Sequence, residues 1–365
     1  MTAPAFPAAP PSAPTDPIAW ASPAREQAFE RWFASVAARH GLRRASLRLA
    51  SADASARRYF RVDGQAPHTH IIMDAPPPLE DTGPFVHVAG LIQEAGLHGP
   101  RVLEQDAESG FLLLDDLGDQ PYLAALQAGP HALSDKLMRD AIEALVTWQL
   151  QVDPATLPAY DDALLRRELQ LFPDWAVQKE FGRTWTEAER ATWDKVCQAL
   201  VDSALAQPAV AVHRDWMPRN LMVSQPNPGV LDFQDAVRGP ITYDVASLLR
   251  DAFISWDEEH ELDWAVRYWQ RALSAGLPVG ADFGEFWRAL EWMGLQRHLK
   301  VIGIFCRLKH RDGKAKYSED LPRFFAYATR VAHRYGPLRP LLALLQPLAE
   351  QCGGAAVQVK SGLTF

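Results

Sequence analysis

Two features of this sequence could do chemistry: the run His213-Arg214-Asp215, which follows the apolar stretch Ala209–Val212, and Asn220, five positions beyond Asp215. Phosphoryl transfer to a hydroxyl needs a carboxylate to accept the proton and oxygen ligands to hold a metal against the phosphates. An Asp and an Asn at this spacing meet both needs from one loop, whose turn carries their side chains toward a common cleft. A second apolar stretch, Leu221–Val223, turns at Asn227-Pro228-Gly229 and returns as Val230-Leu231-Asp232. A carboxylate at the end of that hairpin suits magnesium, a hard cation that favours oxygen ligands. Taken singly, these residues would be turn caps and a packed histidine. The joint pattern of strand, H-x-D-x-x-x-x-N, hairpin and apolar-apolar-Asp-aromatic points to catalysis. It makes Asp215 the catalytic carboxylate, Asn220 and Asp232 the metal ligands, and His213 a structural support for the loop. The string Asp282-Phe283-Gly284 lies 62 residues beyond Asn220 and, with Glu285, has the spacing of a capping box. Asp282 is therefore expected to cap a helix, and Asp232-Phe233-Gln234 is the functional string.

Positioning that loop requires elements on both sides of it. Ser22-Pro23 to His40 reads as a helix with Phe29, Trp32, Phe33 and Val36 on one face and Gly41 as its stop. From Ala45 the period becomes that of strands: Ser46–Ala50, Arg58–Val62 and His70–Met73, then a helix over Phe85–Gly96, then Val102–Glu104 and Phe111–Leu114. Helices are expected over 134–151, 161–181, 187–206, 243–255, 260–275, 282–309 and 320–348, with one β interruption from Val210 to Phe233. The order β-β-β-α-β-β followed by helices predicts an α+β, two-lobed protein-kinase-like fold. Its parts would be a disordered tail (1–20), a nucleotide-binding lobe (21–115), a hinge (116–119), a catalytic and substrate lobe (120–350) and a second tail (351–365).

Val212-His213-Arg214-Asp215-Trp216-Met217-Pro218-Arg219-Asn220-Leu221-Met222 with Leu231-Asp232-Phe233-Gln234-Asp235-Ala236 resembles the aminoglycoside phosphotransferase superfamily. Met73-Asp74-Ala75-Pro76-Pro77, Leu113-Leu114-Asp115-Asp116-Leu117-Gly118-Asp119, Gln296-Arg297-His298-Leu299-Lys300 and Arg311-Asp312-Gly313-Lys314 extend the likeness over residues 25–345. They resemble the bacterial anomeric sugar kinases of cell-wall (peptidoglycan) recycling. That resemblance implies ATP and Mg2+ as cofactors, N-acetylmuramate or N-acetylglucosamine as acceptor, and phosphorylation at the 1-hydroxyl. Kinases of other small alcohols (choline, homoserine, aminoglycosides) are the nearest alternatives.

The sequence departs from the kinase pattern in its nucleotide half. The loop Ser51–Arg58 has no glycine, and no lysine precedes Lys136, so the usual small-lobe lysine is missing. A nucleotide-binding regulator without activity is the alternative this absence raises; the intact Asp215, Asn220 and Asp232 argue against it. Arginine can replace lysine at phosphate, since its guanidinium binds in bidentate fashion. Arg57 or Arg58 is the candidate, with Ser55 assisting, and strand alternation favours Arg58. The backbone of Leu114, Asp115 and Leu117 would meet the adenine, while Asp116 is expected to be solvated. On the acceptor side, Arg219, Gln234, Asp235 and Arg238 lie near the catalytic atoms in sequence, and Trp175 offers an aromatic face to a sugar ring. Asp244, at the start of a helix, is expected to anchor the loop. The basic run Gln296–Lys300, continuing to Lys316, reads as a solvated helix face, with attraction of an anionic acceptor as the alternative.

Composition sets outer limits. The chain has 365 residues, 48% hydrophobic, with a formal net charge of -8. An acidic balance argues against nucleic-acid binding, which needs clustered Lys and Arg, and no apolar run is long enough for a membrane span. Three scattered cysteines suggest neither a zinc site nor a disulfide framework. The expectation is a reduced, cytoplasmic enzyme with a small-molecule amino sugar as its partner and no obligate protein partner.

Overall fold

The computed structural model describes residues 18–52 and 56–353, so Ser55 and most of both expected tails lie outside the described residues. The described chain forms two compact units. One holds the residues up to His87 together with Pro100–Asp116; the other holds Val88–Gly99 and the residues from Leu117 onward.

In the first unit, α1 (Pro23–His40) begins where the Ser22 hydroxyl accepts the Arg25 N–H at 3.2 Å. It ends at Gly41, whose φ of 61° closes the last turn as a residue with a Cβ would not. Five strands follow in the order expected from the sequence: β1 (Arg48–Ala52), β2 (Arg58–Asp63), β3 (Thr69–Asp74), β4 (Val102–Asp106) and β5 (Phe111–Asp115), with α2 (Gly83–Glu94) between β3 and β4. They form one antiparallel sheet in the order β1-β2-β3-β5-β4. Phe29, Trp32, Phe33 and Val36 of α1 pack on Phe60, Val62, Ile72, Phe111 and Leu113. Ile18 and Trp20, expected in the tail, join this core; Trp20 lies 4.7 Å from Phe29 between ring centroids.

The second unit is mainly helical. It runs through α3 (Tyr122–Ala128), α4 (His131–Gln151), α5 (Asp162–Leu171) and α6 (Glu187–Leu205), then a β segment, then α7 (Tyr243–Leu249), α8 (Glu258–Ser274), α9 (Phe283–Asp312), α10 (Leu321–Arg334) and α11 (Leu342–Gln351). The β segment pairs β6 (Ala209–Val212) with β9 (Val237–Pro240), and β7 (Leu221–Met222) with β8 (Gly229–Val230). Helix α9 is the axis of this unit and packs along α5, α6, α7 and α10. It starts where the Asp282 side chain accepts the Glu285 N–H at 3.0 Å, as the capping-box spacing requires.

Three helices depart from the sequence expectation. The one expected over 161–181 passes at Phe172 into a π-helical turn, Phe172–Glu180, where Pro173 has no N–H to give an α-helical ladder. The one expected over 243–255 stops at Leu249, and 320–348 is broken by the 3-10 turn Gly336–Leu341. Helix α3 and strand β9 were not anticipated; α3 is short and starts at Pro121 without a side-chain cap. No helix among the described residues is long and apolar enough to cross a membrane.

Candidate active site

The catalytic loop leaves β6 at His213 and is held from below by Asp244 on the first turn of α7. The Asp244 carboxylate accepts the His213 N–H at 2.7 Å and the Arg214 N–H at 2.9 Å. Burial pushes this carboxyl up to about 7, against the two amides that hold it down. Its role is the loop anchor expected from sequence. His213 is fully buried, its ring edge-on to Trp148 and Trp216, and Nδ1 accepts the Asp215 N–H at 3.3 Å. Burial drives the imidazole down to about 4, so at neutral pH it is an uncharged support.

Asp215, Asn220 and Asp232 converge. The Asn220 amide nitrogen donates to the Asp215 carbonyl at 3.0 Å and to the Asp232 carboxylate at 3.3 Å. Both bonds use the Asn220 N–H groups; its side-chain oxygen is the kind of donor that would suit a hard cation. Gln234 donates to the other Asp232 oxygen at 2.9 Å and so braces that carboxylate. Among the described residues, only Arg214 (φ 75°) and Asp232 (φ 62°) are non-glycines in the left-handed region. Such backbone costs about 1–3 kcal/mol each and persists where the surroundings enforce it, commonly at functional sites.

Behind the loop lies a buried charge cluster that the sequence did not disclose. Glu168 of α5 pairs with Arg214 and, at 2.8 Å, with Lys300 of α9, and accepts from the Tyr160 hydroxyl. Burial alone would push Glu168 up, but Lys300 and Arg214 hold it down to about 2. The signal available was an acid on an otherwise apolar face, since Leu165, Glu168 and Leu169 are buried together. Its cationic partners lie 46 and 132 positions away, out of reach of any local pattern.

A cavity of about 130 Å³ opens beside Asp215, lined in part by Arg219, Tyr243, Phe253, Arg297 and Lys300. Arg219, lying over Phe253 at 5.0 Å, and Phe253 also line a larger hollow of about 510 Å³ between α3 and the residues around Tyr317. Of the acceptor residues expected from sequence, Arg219 alone lines the smaller cavity. Trp175 sits in the π-helical turn and does not line it, Asp235 is exposed, and Arg238 is exposed on β9. The run Gln296–Lys300 is no solvated face: Gln296, Arg297 and His298 are buried, and Arg297 and Lys300 face the cavity.

In the first unit, the two candidate arginines have different surroundings. Arg58 lies on the face covered by α1, where it donates to the buried Asp74 at 3.1 Å; Arg25 of α1 donates to the same carboxylate at 2.9 Å. Arg58, the arginine favoured for phosphate, is thus engaged at Asp74, where its guanidinium ties the helix to the sheet. Arg57 lies just before the strand, 3.5 Å from Glu80. Met73, in register with Tyr59 and Leu112 on the face away from α1, stands where the lysine would be sought. The Asp116 side chain is buried rather than solvated, held by Arg61 at 2.6 Å and Thr69 at 2.7 Å. Leu114 and Asp115 end β5, with Asp115 paired to Arg101, and Leu117 is buried where the chain enters the second unit.

The model of the phosphotransferase enzyme family matches residues 46–283, which contain all three convergent residues. The chain belongs to this family. It is 56% identical over 311 residues to the N-acetylmuramate/N-acetylglucosamine kinase of Pseudomonas putida, spanning 85% of this chain and 89% of that one. The enzyme of the same name from Neisseria meningitidis is 47% identical over 320 residues, spanning 87% and 94%. An ADP-bound aminoglycoside phosphotransferase superposes with a TM-score of 0.55 at 14% identity, covering 84% of this chain and 98% of the other, which establishes the kinase-like fold. As a phosphotransferase with Asp215, Asn220 and Asp232 in place, the chain is an enzyme and not merely a nucleotide-binding regulator.

Proposed function

We propose that this phosphotransferase moves the γ-phosphoryl group of ATP to the anomeric hydroxyl of N-acetylmuramate or N-acetylglucosamine, giving the sugar 1-phosphate for peptidoglycan recycling in the cytoplasm. The observation that carries the reading is 56% identity across 89% of a relative so named, in a chain whose Asp215, Asn220 and Asp232 stand together. In this reading Asp215 accepts the proton of the attacking hydroxyl and holds its oxygen in line with the phosphorus. Asn220 and Asp232 supply the oxygen donors that suit Mg2+, which when bound would offset charge on the phosphates. The nucleotide half would use the backbone of Leu114, Asp115 and Leu117 for adenine, and Arg57 with Ser55 for phosphate. Arg219 and Phe253 would border the acceptor. The test is transfer from labelled ATP to a panel of both amino sugars, choline, homoserine and an aminoglycoside. Label on the two sugars supports the reading; label confined to choline, homoserine or the aminoglycoside overturns it.

A further inference from the structure

N-acetylmuramate and N-acetylglucosamine share a ring, an acetamido group and a 1-hydroxyl. They differ in one feature: the former carries a lactyl ether ending in a carboxylate. A protein that accepts both must either ignore that charge or meet it. The cavity beside Asp215 holds three cationic side chains, and they are not equivalent. Lys300 is already bound by Glu168 at 2.8 Å and donates to the Tyr243 hydroxyl at 3.1 Å. Arg219 lies over Phe253 and is half-buried. Arg297 is different: it is 3% exposed, yet its Nη1 has no hydrogen-bond partner among the described residues.

An unmet donor on a buried guanidinium is costly; buried Arg250 carries one too, but Arg297 also lines the cavity beside Asp215. The planar fork of arginine matches a carboxylate in two parallel hydrogen bonds, which a lysine cannot reproduce. We propose that Arg297 receives the lactyl carboxylate of N-acetylmuramate and so sets the preference between the two acceptors. The proposal rests on the sugar-kinase reading above. Arg297 also acts on the buried Asp251, whose Oδ2 likewise has no partner among the described residues, so the competing role is one of offsetting that charge inside the protein.

The experiment compares kcat/KM for N-acetylmuramate, its methyl ester and N-acetylglucosamine, in the unmodified enzyme and in Arg297→Gln. Loss of a charge-assisted contact corresponds to roughly a 10- to 100-fold effect. The unmodified enzyme should favour the free acid over the ester by that factor. In Arg297→Gln the acid-to-ester ratio should collapse toward one, with the loss carried mainly by KM for the acid. Arg297→Lys should restore only part of the preference, because it keeps charge without the fork. An unmodified enzyme that treats acid and ester alike overturns the proposal whether or not the variant folds. So does a variant that loses the same factor on all three acceptors, the signature of offsetting Asp251. If the unmodified enzyme phosphorylates none of the three, the sugar reading itself has failed; if it phosphorylates N-acetylglucosamine but shows no acid preference, only the Arg297 assignment has.

Discussion

Asp215 can be tested apart from the residues that hold it. Asp215→Asn keeps the shape and removes the proton acceptor, so turnover should fall about 10²–10⁴-fold while ATP binding changes little; near-normal turnover at saturating substrate would contradict the role. The two Asp-Phe strings separate in the same way. Asp232→Ala should abolish turnover, whereas Asp282→Ala should remain active and lose about 0.5–2 kcal/mol in a denaturant melt, as for a lost helix cap. Glu168 gives a pH test. Its folded-state value, about 2, lies below its ordinary 4.5, so its stabilisation is complete above the unfolded value and disappears as pH falls through that range. The shift corresponds to roughly 3 kcal/mol. Urea unfolding of Glu168→Gln against the unmodified chain should therefore show a gap that is widest at neutral pH and narrows below about 4.5. A pH-independent gap would contradict the ion cluster. The convergence of Asp215, Asn220 and Asp232 was legible because the three are neighbours in sequence. Glu168 and Asp116 were not, because each owes its state to partners that only the fold supplies, and Arg297 was not, because only the packing around α9 buries it.

Elements whose ends carry their own chemistry were readable: Ser22 and Gly41 bracket α1, and Asp282 opens α9. Elements set by crowding were not. The π-helical turn after α5 lies beside Gly303 of α9, where an added Cβ would come within 2.4 Å of the Leu171 carbonyl carbon. Gly303→Ala should therefore cost about 1–3 kcal/mol, as overpacking does, read as a lower urea midpoint. Strand β2 shows why alternation alone misled. Alternation correctly placed Arg58 on the face of Phe60, but that face is covered by α1, and Asp74 is waiting there. Arg58→Ala should thus lower stability by about 1.5–3 kcal/mol and leave KM for ATP little changed, whereas Arg57→Ala should raise that KM. ATP titration of both folded variants decides it; a raised KM in Arg58→Ala alone would reverse the assignment.

At the scale of the whole molecule, the strand and helix order was enough to foresee an antiparallel β unit and a helical unit, because each has its own period and its own core. What the order did not contain was the depth of α9, whose polar residues read as surface until α5, α6, α7 and α10 are packed around it. Burial of Gln296, Arg297 and His298 removes this stretch of the basic run from solvent. The proposed reaction moves a phosphoryl group from ATP to a sugar's anomeric oxygen. Phosphorus NMR of the product formed from N-acetylmuramate, ATP and Mg2+ reads that event directly. A new phosphomonoester signal coupled to the sugar H1, absent with Asp215→Asn, is expected. A signal coupled to the protons at carbon 6, or ATP consumption with no sugar phosphate, would contradict it.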